Sequence, residues 1–162
     1  MSTFLTAGPD LLALAYITRN LRERDQAECF ACYVDTPDDL AAQTAAQGVF
    51  QWVAWANDRP VASIGARNLW PGVWSVWAFG TDEWPSVVLL LTRHVRRAMI
   101  PALVRAGAHR VHCDALATHE DARRWLTALG AREEGVRRGL GRNGEDFVTY
   151  AWSRDDVPCP PG

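Results

Sequence analysis

Residues 50–80, FQWVAWANDRPVASIGARNLWPGVWSVWAFG, limit the fold more tightly than any other stretch of the chain. Trp, Val, Ile and Phe dominate it, and breakers fall at Asn57-Asp58 and Pro71-Gly72. That pattern predicts three strands in a meander, at about 50–56, 61–67 and 73–79. The third strand then runs into a helical pattern through the turn Gly80-Thr81-Asp82-Glu83. Strand-to-helix turns are where many folds cradle a phosphate or an acyl carrier, because the first helical N–H groups and the helix dipole both face an incoming anion.

Helical patterns flank the meander. Pro9-Asp10 opens an amphipathic helix carrying Leu11, Leu14, Ala15 and Leu21 on one side and Arg19, Arg22, Glu23 and Arg24 between them, continuing to Tyr33. Asp35-Thr36-Pro37 ends it, and DDLAAQTAAQ forms a short second helix. From Pro85 to about Ala106 the helical pattern returns, with Pro101 expected to kink it and Gly107 to stop it. HRVHCDAL reads as a strand. Thr118 is the expected N-cap of the helix HEDARRWLTALG, which Gly130 ends. EEGVRRGL and EDFVTYAW close the chain as a hairpin through Asn143-Gly144. No repeat or interior linker interrupts this order, so one domain is expected over residues 1–154, followed by an irregular tail at 155–162.

At 162 residues, with 48% hydrophobic and 22% charged side chains, the chain has the composition of a folded globular protein. No apolar run reaches the roughly 20 residues needed to span a bilayer. The start MSTFLTAGPD lacks the basic n-region of a signal peptide, which predicts that the chain stays in the cytoplasm where it is made. The net charge is -2, the pI is about 6.1, and every basic residue is Arg. This balance argues against a dedicated nucleic-acid binder. The Arg-only set fits either a GC-rich genome or recognition by planar guanidinium groups.

The chemical motifs are weak. Cys29 and Cys32 form a CxxC, but His112 and Cys113 point to opposite faces of a strand, so no four-ligand zinc site is expected. GLGRNG at 139–144 matches a dinucleotide fingerprint in letters only, because a strand follows it where a helix would have to begin. His94, His109, His112 and His119 form no close ligand pair, and Ser63, Ser75 and Ser86 lie outside any nucleophile elbow. Asp38-Asp39 and Glu133-Glu134 read as solvated pairs. Trp70 and Trp84 border turns, where partial exposure is expected, and Arg137, Arg138 and Arg142 form a local basic set. These five are the candidate protein-interface residues. No catalytic, cofactor-binding or metal residue is assigned.

The order helix, helix, three strands, helix, strand, helix, two strands resembles the GNAT N-acetyltransferase superfamily over nearly the whole chain. DARRWLTALGA is similar to the LYEKLGF passage of that superfamily. The resemblance implies an α+β fold: a mixed, mostly antiparallel central sheet of about six or seven strands with helices on both faces. Within it, LRERDQAEC, WAFGTDE and ARRWLTALGAREEG…GEDFVTYAW resemble the GNAT-like internal virion or tail-assembly proteins of short-tailed bacteriophages. Those proteins generally lack a demonstrated acetyltransferase role. This narrower resemblance implies a non-catalytic virion protein with other virion proteins as partners, synthesised in the host cytoplasm.

The family motifs also show where this chain departs. A working acetyltransferase of the superfamily carries Q/R-x-x-G-x-G/A after its fourth strand, and here the sequence is GTDEWPSVV. No acid lies in 73–79, Leu126 stands at the usual Tyr general acid, and His119 replaces the Asn that often opens that helix. The alternative expectation is an acyl-CoA-dependent N-acetyltransferase with a degenerate loop. A third is a module directed at a host protein.

Overall fold

A computed structural model describes residues 1–32 and 34–156 of the chain. The expected helix end at Tyr33 and the tail beyond Asp156 lie outside the described residues. The elements are β1 (Thr3–Ala7), α1 (Leu11–Arg19), α2 (Glu23–Cys32), α3 (Pro37–Ala45), β2 (Gln51–Ala56), β3 (Arg59–Trp70) and β4 (Val73–Gly80). They continue with α4 (Val88–His94), α5 (Ile100–Arg105), β5 (Arg110–Leu116), α6 (Glu120–Ala128), β6 (Arg132–Arg137) and β7 (Phe147–Ser153). The seven strands hydrogen-bond in the order β1-β2-β3-β4-β5-β7-β6. The β4–β5 pair is parallel, whereas β1–β2, β2–β3, β5–β7 and β6–β7 are antiparallel. The expected α+β class with a mostly antiparallel sheet is the observed one.

The chain forms two compact units. The first comprises Met1–Arg67 and Trp77–Leu91. The second comprises Asn68–Val76 and the described residues from Thr92 onward.

In the first unit, the sequence reading lacks β1. The strand exists because its side chains pair across to β2: Phe4 lies opposite Trp55 with the rings stacked 5.9 Å apart, and Trp55 Nε1 donates to Thr6 Oγ1 at 2.9 Å. Asn57 and Asp58 both take positive φ, the two-residue turn that joins twisted antiparallel strands, so β3 starts at Arg59 rather than 61. The single helix expected from Pro9 to Tyr33 is instead two. Asp10 caps α1 by accepting from Ala13 N–H at 3.0 Å, and the helix stops at Arg19. The chain there is extended for one residue, Leu21, before α2 begins. Leu14, Ile17, Leu40, Val53 and Phe79 build the buried core beneath α1 and α3.

In the second unit, α6 begins at Glu120 with His119 at the cap position, which corrects the expected Thr118 cap, and the His119 side chain makes no capping hydrogen bond. Gly130, at φ +91, turns the chain out of that helix as expected. The Asn143-Gly144 turn lies inside a longer loop between Arg137 and Phe147, and does not form a tight two-residue hairpin. Before Pro101 the helix opens into a π turn at Val95–Met99, so the expected interruption takes the form of a wide turn. Among the described residues, no helix is long and apolar enough to cross a membrane.

Candidate functional site

Leu21–Cys29 and Trp77–Glu83, distant in sequence, meet at the C-terminal end of β4 within the first unit. In an extended strand, one residue's N–H and C=O point to the same side. Thr81 N–H donates to Val61 C=O on β3 at 2.8 Å, so the polar groups of Gly80 point to the opposite edge. Both are taken by the chain itself. Gly80 N–H donates to Asp25 Oδ2 at 2.7 Å, and Arg22 N–H donates to Gly80 C=O at 3.0 Å. Leu21 and Thr81 complete an antiparallel bridge there. This pairing is why the expected long N-terminal helix breaks at Leu21.

The Asp25 carboxylate is 1% exposed. Arg22 Nε lies 2.9 Å from Asp25 Oδ2, an ion pair by distance, and its guanidinium carbon sits 4.4 Å from the centroid of the Trp84 ring. A guanidinium stacked on an indole and paired with a carboxylate is held from two sides, each contributing on the order of 1 kcal/mol or more when shielded from water. Gly80 has to be glycine for room: a Cβ there would lie 2.8 Å from the Trp84 ring and 2.8 Å from Val61 O. Trp84 is therefore an interior residue, 8% exposed, which corrects the partial exposure expected of it at the turn.

The turn itself has few donors left for an anion. Glu83 N–H donates to Thr81 Oγ1 at 3.3 Å, and Trp84 N–H to Thr81 C=O at 3.0 Å. Ser86 N–H donates to Glu83 C=O at 2.9 Å, Val87 N–H donates to Trp84 C=O at 3.0 Å, and Pro85 has no N–H. Trp84–Ser86 is a single 3-10 turn. Asp82 and Glu83 add two carboxylates, Glu83 already paired with Arg59 at 2.9 Å. The Asp82 charge opposes a pyrophosphate by about 1 kcal/mol in water at contact distance, and by more once water is excluded, while Arg59 offsets much of the Glu83 charge. The coenzyme A pyrophosphate implied by the sequence resemblance does not fit this turn.

The positions that a catalytic reading would need are also apolar or enclosed. Leu126 is buried, His119 is 2% exposed, and no acid lies on β4. In the second unit, Arg123 Nε donates to Tyr150 Oη at 3.1 Å and its Nη1 to Ala117 C=O at 3.0 Å, while Glu133 stands 3.4 Å from Arg123. Arg123, Glu133 and Tyr150 line an open depression of about 490 Å³ with Glu120, Arg124 and Thr127. They hold one another, and Glu133-Glu134 is accordingly not merely solvated: Glu134 chelates Arg110 through both oxygens. Cys29 is buried, and burial first, then Glu28 and Asp25, raise its thiol well above the ordinary range, so it is an unreactive core side chain. Among the described residues, no three His, Cys, Asp or Glu side chains are placed to hold a metal ion.

The remaining expected interface residues do not form one patch. Trp70 is 58% exposed beside the Pro71-Gly72 turn, where Gly72 C=O accepts from His109 and Arg110 N–H. Arg137 lies opposite Phe147, which in turn lies opposite Leu116 at the other end of β5. Seven strand residues separate these ends by about 20 Å. Arg137 is also engaged, with Thr149 Oγ1 at 3.1 Å and Asp114 at 3.3 Å, while Arg138 and Arg142 are exposed on the loop that follows.

Two histidines of the second unit carry a pH signature. Burial lowers the pKa of His94; burial and then Arg110, with Arg137 behind it, lower that of His112 against the opposing pull of Asp114 and Glu134. A histidine whose folded pKa is depressed binds its proton more readily when unfolded. Its stabilising effect is complete above about pH 6.5 and declines as the pH falls below that value. Urea midpoints at pH 7.5 and 5.5 are expected to show lower stability at the acidic pH, and the difference should shrink in His94→Gln and His112→Gln.

No protein-family model matches the chain, and no curated protein sequence does. Solved structures match it along nearly its full length. The ribosomal-protein-S18-alanine N-acetyltransferase of Escherichia coli superposes with a TM-score of 0.69 at 14% identity, covering 99% of this chain and 97% of its own. Ard1 of Thermoplasma volcanium gives 0.74 at 10% identity, covering 94% and 98%. The yncA protein of Salmonella typhimurium, assigned as an acetyltransferase and solved with its cofactor acetyl-CoA, gives 0.71 at 15% identity, covering 100% and 99%. At such identities the likeness is one of fold.

Proposed function

We propose that this chain, built on the GNAT N-acetyltransferase fold, works by binding other proteins and not by acetyl transfer. One observation carries the reading: the edge of β4 at Gly80, beside which an acyl donor would lie, is filled by Arg22 and Asp25 of the same chain. Most donors of the turn are spent internally, and Asp82 leaves it with negative charge. A fold kept for its shape and not its chemistry is left with its surface as the working part.

The test is a titration with acetyl-CoA followed by thermal unfolding. A ligand that binds only the folded state stabilises it by RT ln(1 + [L]/Kd). No shift in midpoint is expected up to about 1 mM, a concentration that gives about 2.7 kcal/mol for a Kd one hundredfold lower. A shift that grows with concentration would remove the proposal. The second reading, an acyl-CoA-dependent N-acetyltransferase with a degenerate loop, draws its support from the acetyltransferases that share the fold. Release of free thiol from acetyl-CoA in the presence of an amine acceptor would establish it.

The finer assignment, a structural or assembly protein of a tailed-phage particle made in the host cytoplasm, rests on the sequence resemblance of LRERDQAEC, WAFGTDE and ARRWLTALGAREEG…GEDFVTYAW. Mass spectrometry of purified particles and assembly intermediates tests it, and absence of the chain from both would end it.

A further inference from the structure

From Trp84 to Cys113 the chain carries five arginines and no acid. Five positive charges here, in a chain of net -2, leave -7 on the remainder. Arg110 is neutralised by Glu134. The other four, Arg93, Arg96, Arg97 and Arg105, are exposed on the helical run of α4, the π turn and α5. Arg96 donates to Ala128 C=O at the end of α6; among the described residues, Arg93, Arg97 and Arg105 make no ion pair.

The π turn determines which way these side chains face. Val95, Met99 and Leu103 are buried at a spacing of four. On a regular helix of 3.6 residues per turn, each such step drifts by about 40°, so the three would spread over about 80° of the helix surface. A π turn takes in an extra residue and cancels most of that drift. The same correction lines up Arg93 and Arg97 on the opposite side, with Arg105 within about 40° of them and the 37%-exposed Val104 alongside. Pro101 reinforces the arrangement, because it cannot donate to the carbonyl four residues back at Arg97.

We propose that this arginine face docks an acidic segment of a partner protein, one presenting carboxylates in a row about three helical turns long. Guanidinium groups with an apolar neighbour are the composition of protein interfaces, where Arg anchors through bidentate contacts to carboxylates. Nucleic acid is the poorer occupant. The face carries no aromatic or amide side chain to stack on or read a base, and a polyanion longer than the face would meet the net-negative remainder of the chain. A short acidic segment meets the arginines alone. The inference does not depend on the closed β4 edge, since the acetyl-CoA titration reports on that separately.

The experiment measures binding of the full chain, at about 20 mM and about 200 mM salt, to a fluorescein-labelled helical peptide of about 20 residues rich in Glu. Single-stranded DNA of equal charge is titrated in parallel. The wild type is expected to bind the peptide at low salt, with affinity falling at least tenfold in the Arg93→Gln, Arg97→Gln, Arg105→Gln variant and unchanged in Arg137→Gln, Arg138→Gln, Arg142→Gln. A thermal midpoint equal to wild type confirms that the first variant is folded, as its exposed positions predict. No peptide binding at low salt overturns the proposal. So does an equal loss in both variants. DNA bound as tightly as the peptide would assign the face to nucleic acid instead.

Discussion

Replacing Asp25 with Ala is expected to lower stability by about 3 kcal/mol, among the largest effects of any single polar substitution in this chain. The carboxylate accepts the buried Gly80 N–H at 2.7 Å and pairs with Arg22 at 2.9 Å. Removing it leaves both without that partner, and breaking a buried pair from one side typically costs about 3–5 kcal/mol. Arg22, 18% exposed at its side chain, can recover some hydration, which puts the value at the lower end. In a chain of this size the loss corresponds to a drop of about 6–12 °C in midpoint. Asp25→Asn keeps an acceptor for Gly80 N–H and is expected to recover part of the loss. Urea unfolding of the three proteins measures it. An Asp25→Ala variant within about 0.5 kcal/mol of wild type would mean that the clasp on β4 holds nothing.

Trp84→Ala is expected to cost about 3–5 kcal/mol, the range for emptying a large aromatic site in a core. The indole packs against Gly80 and under the Arg22 guanidinium. Because Arg22 also serves Asp25, the double variant should lose less than the sum of the two single losses, and a double-mutant cycle gives the coupling directly. Strict additivity would show that the three residues do not act as one unit. Acetyl-CoA binding is not expected to appear in Trp84→Ala. The hole would remove bulk, but most of the turn's N–H groups would remain committed to Thr81, Glu83 and Trp84 carbonyls and to the Thr81 hydroxyl.

The departures from expectation have a common origin. Leu21, Asp25 and Cys29 recur at a spacing of four, so Asp25 lies on the buried stripe of α2, where an acid needs a partner. That spacing is legible in the sequence; that the partner is a backbone N–H on β4 is not. Trp84 borders a turn and reads as exposed for that reason, yet Arg22 draws it inward. The N-terminal strand escaped because TFLTA is short, and its stability comes from Trp55, about fifty positions away.

By itself, the order of residues determined the meander, the helical runs and the absence of a glycine-rich stretch at GTDEWPSVV, because each depends on local periodicity or on which side chains are present, while the α+β class was implied by the resemblance that this order carries. Tertiary structure alone decided that α1 and α2 are separate helices, that Trp84 is interior, and that the edge of β4 is closed. Those outcomes rest on hydrogen bonds and packing between segments far apart in the chain, and no local pattern encodes where a backbone N–H will find its acceptor.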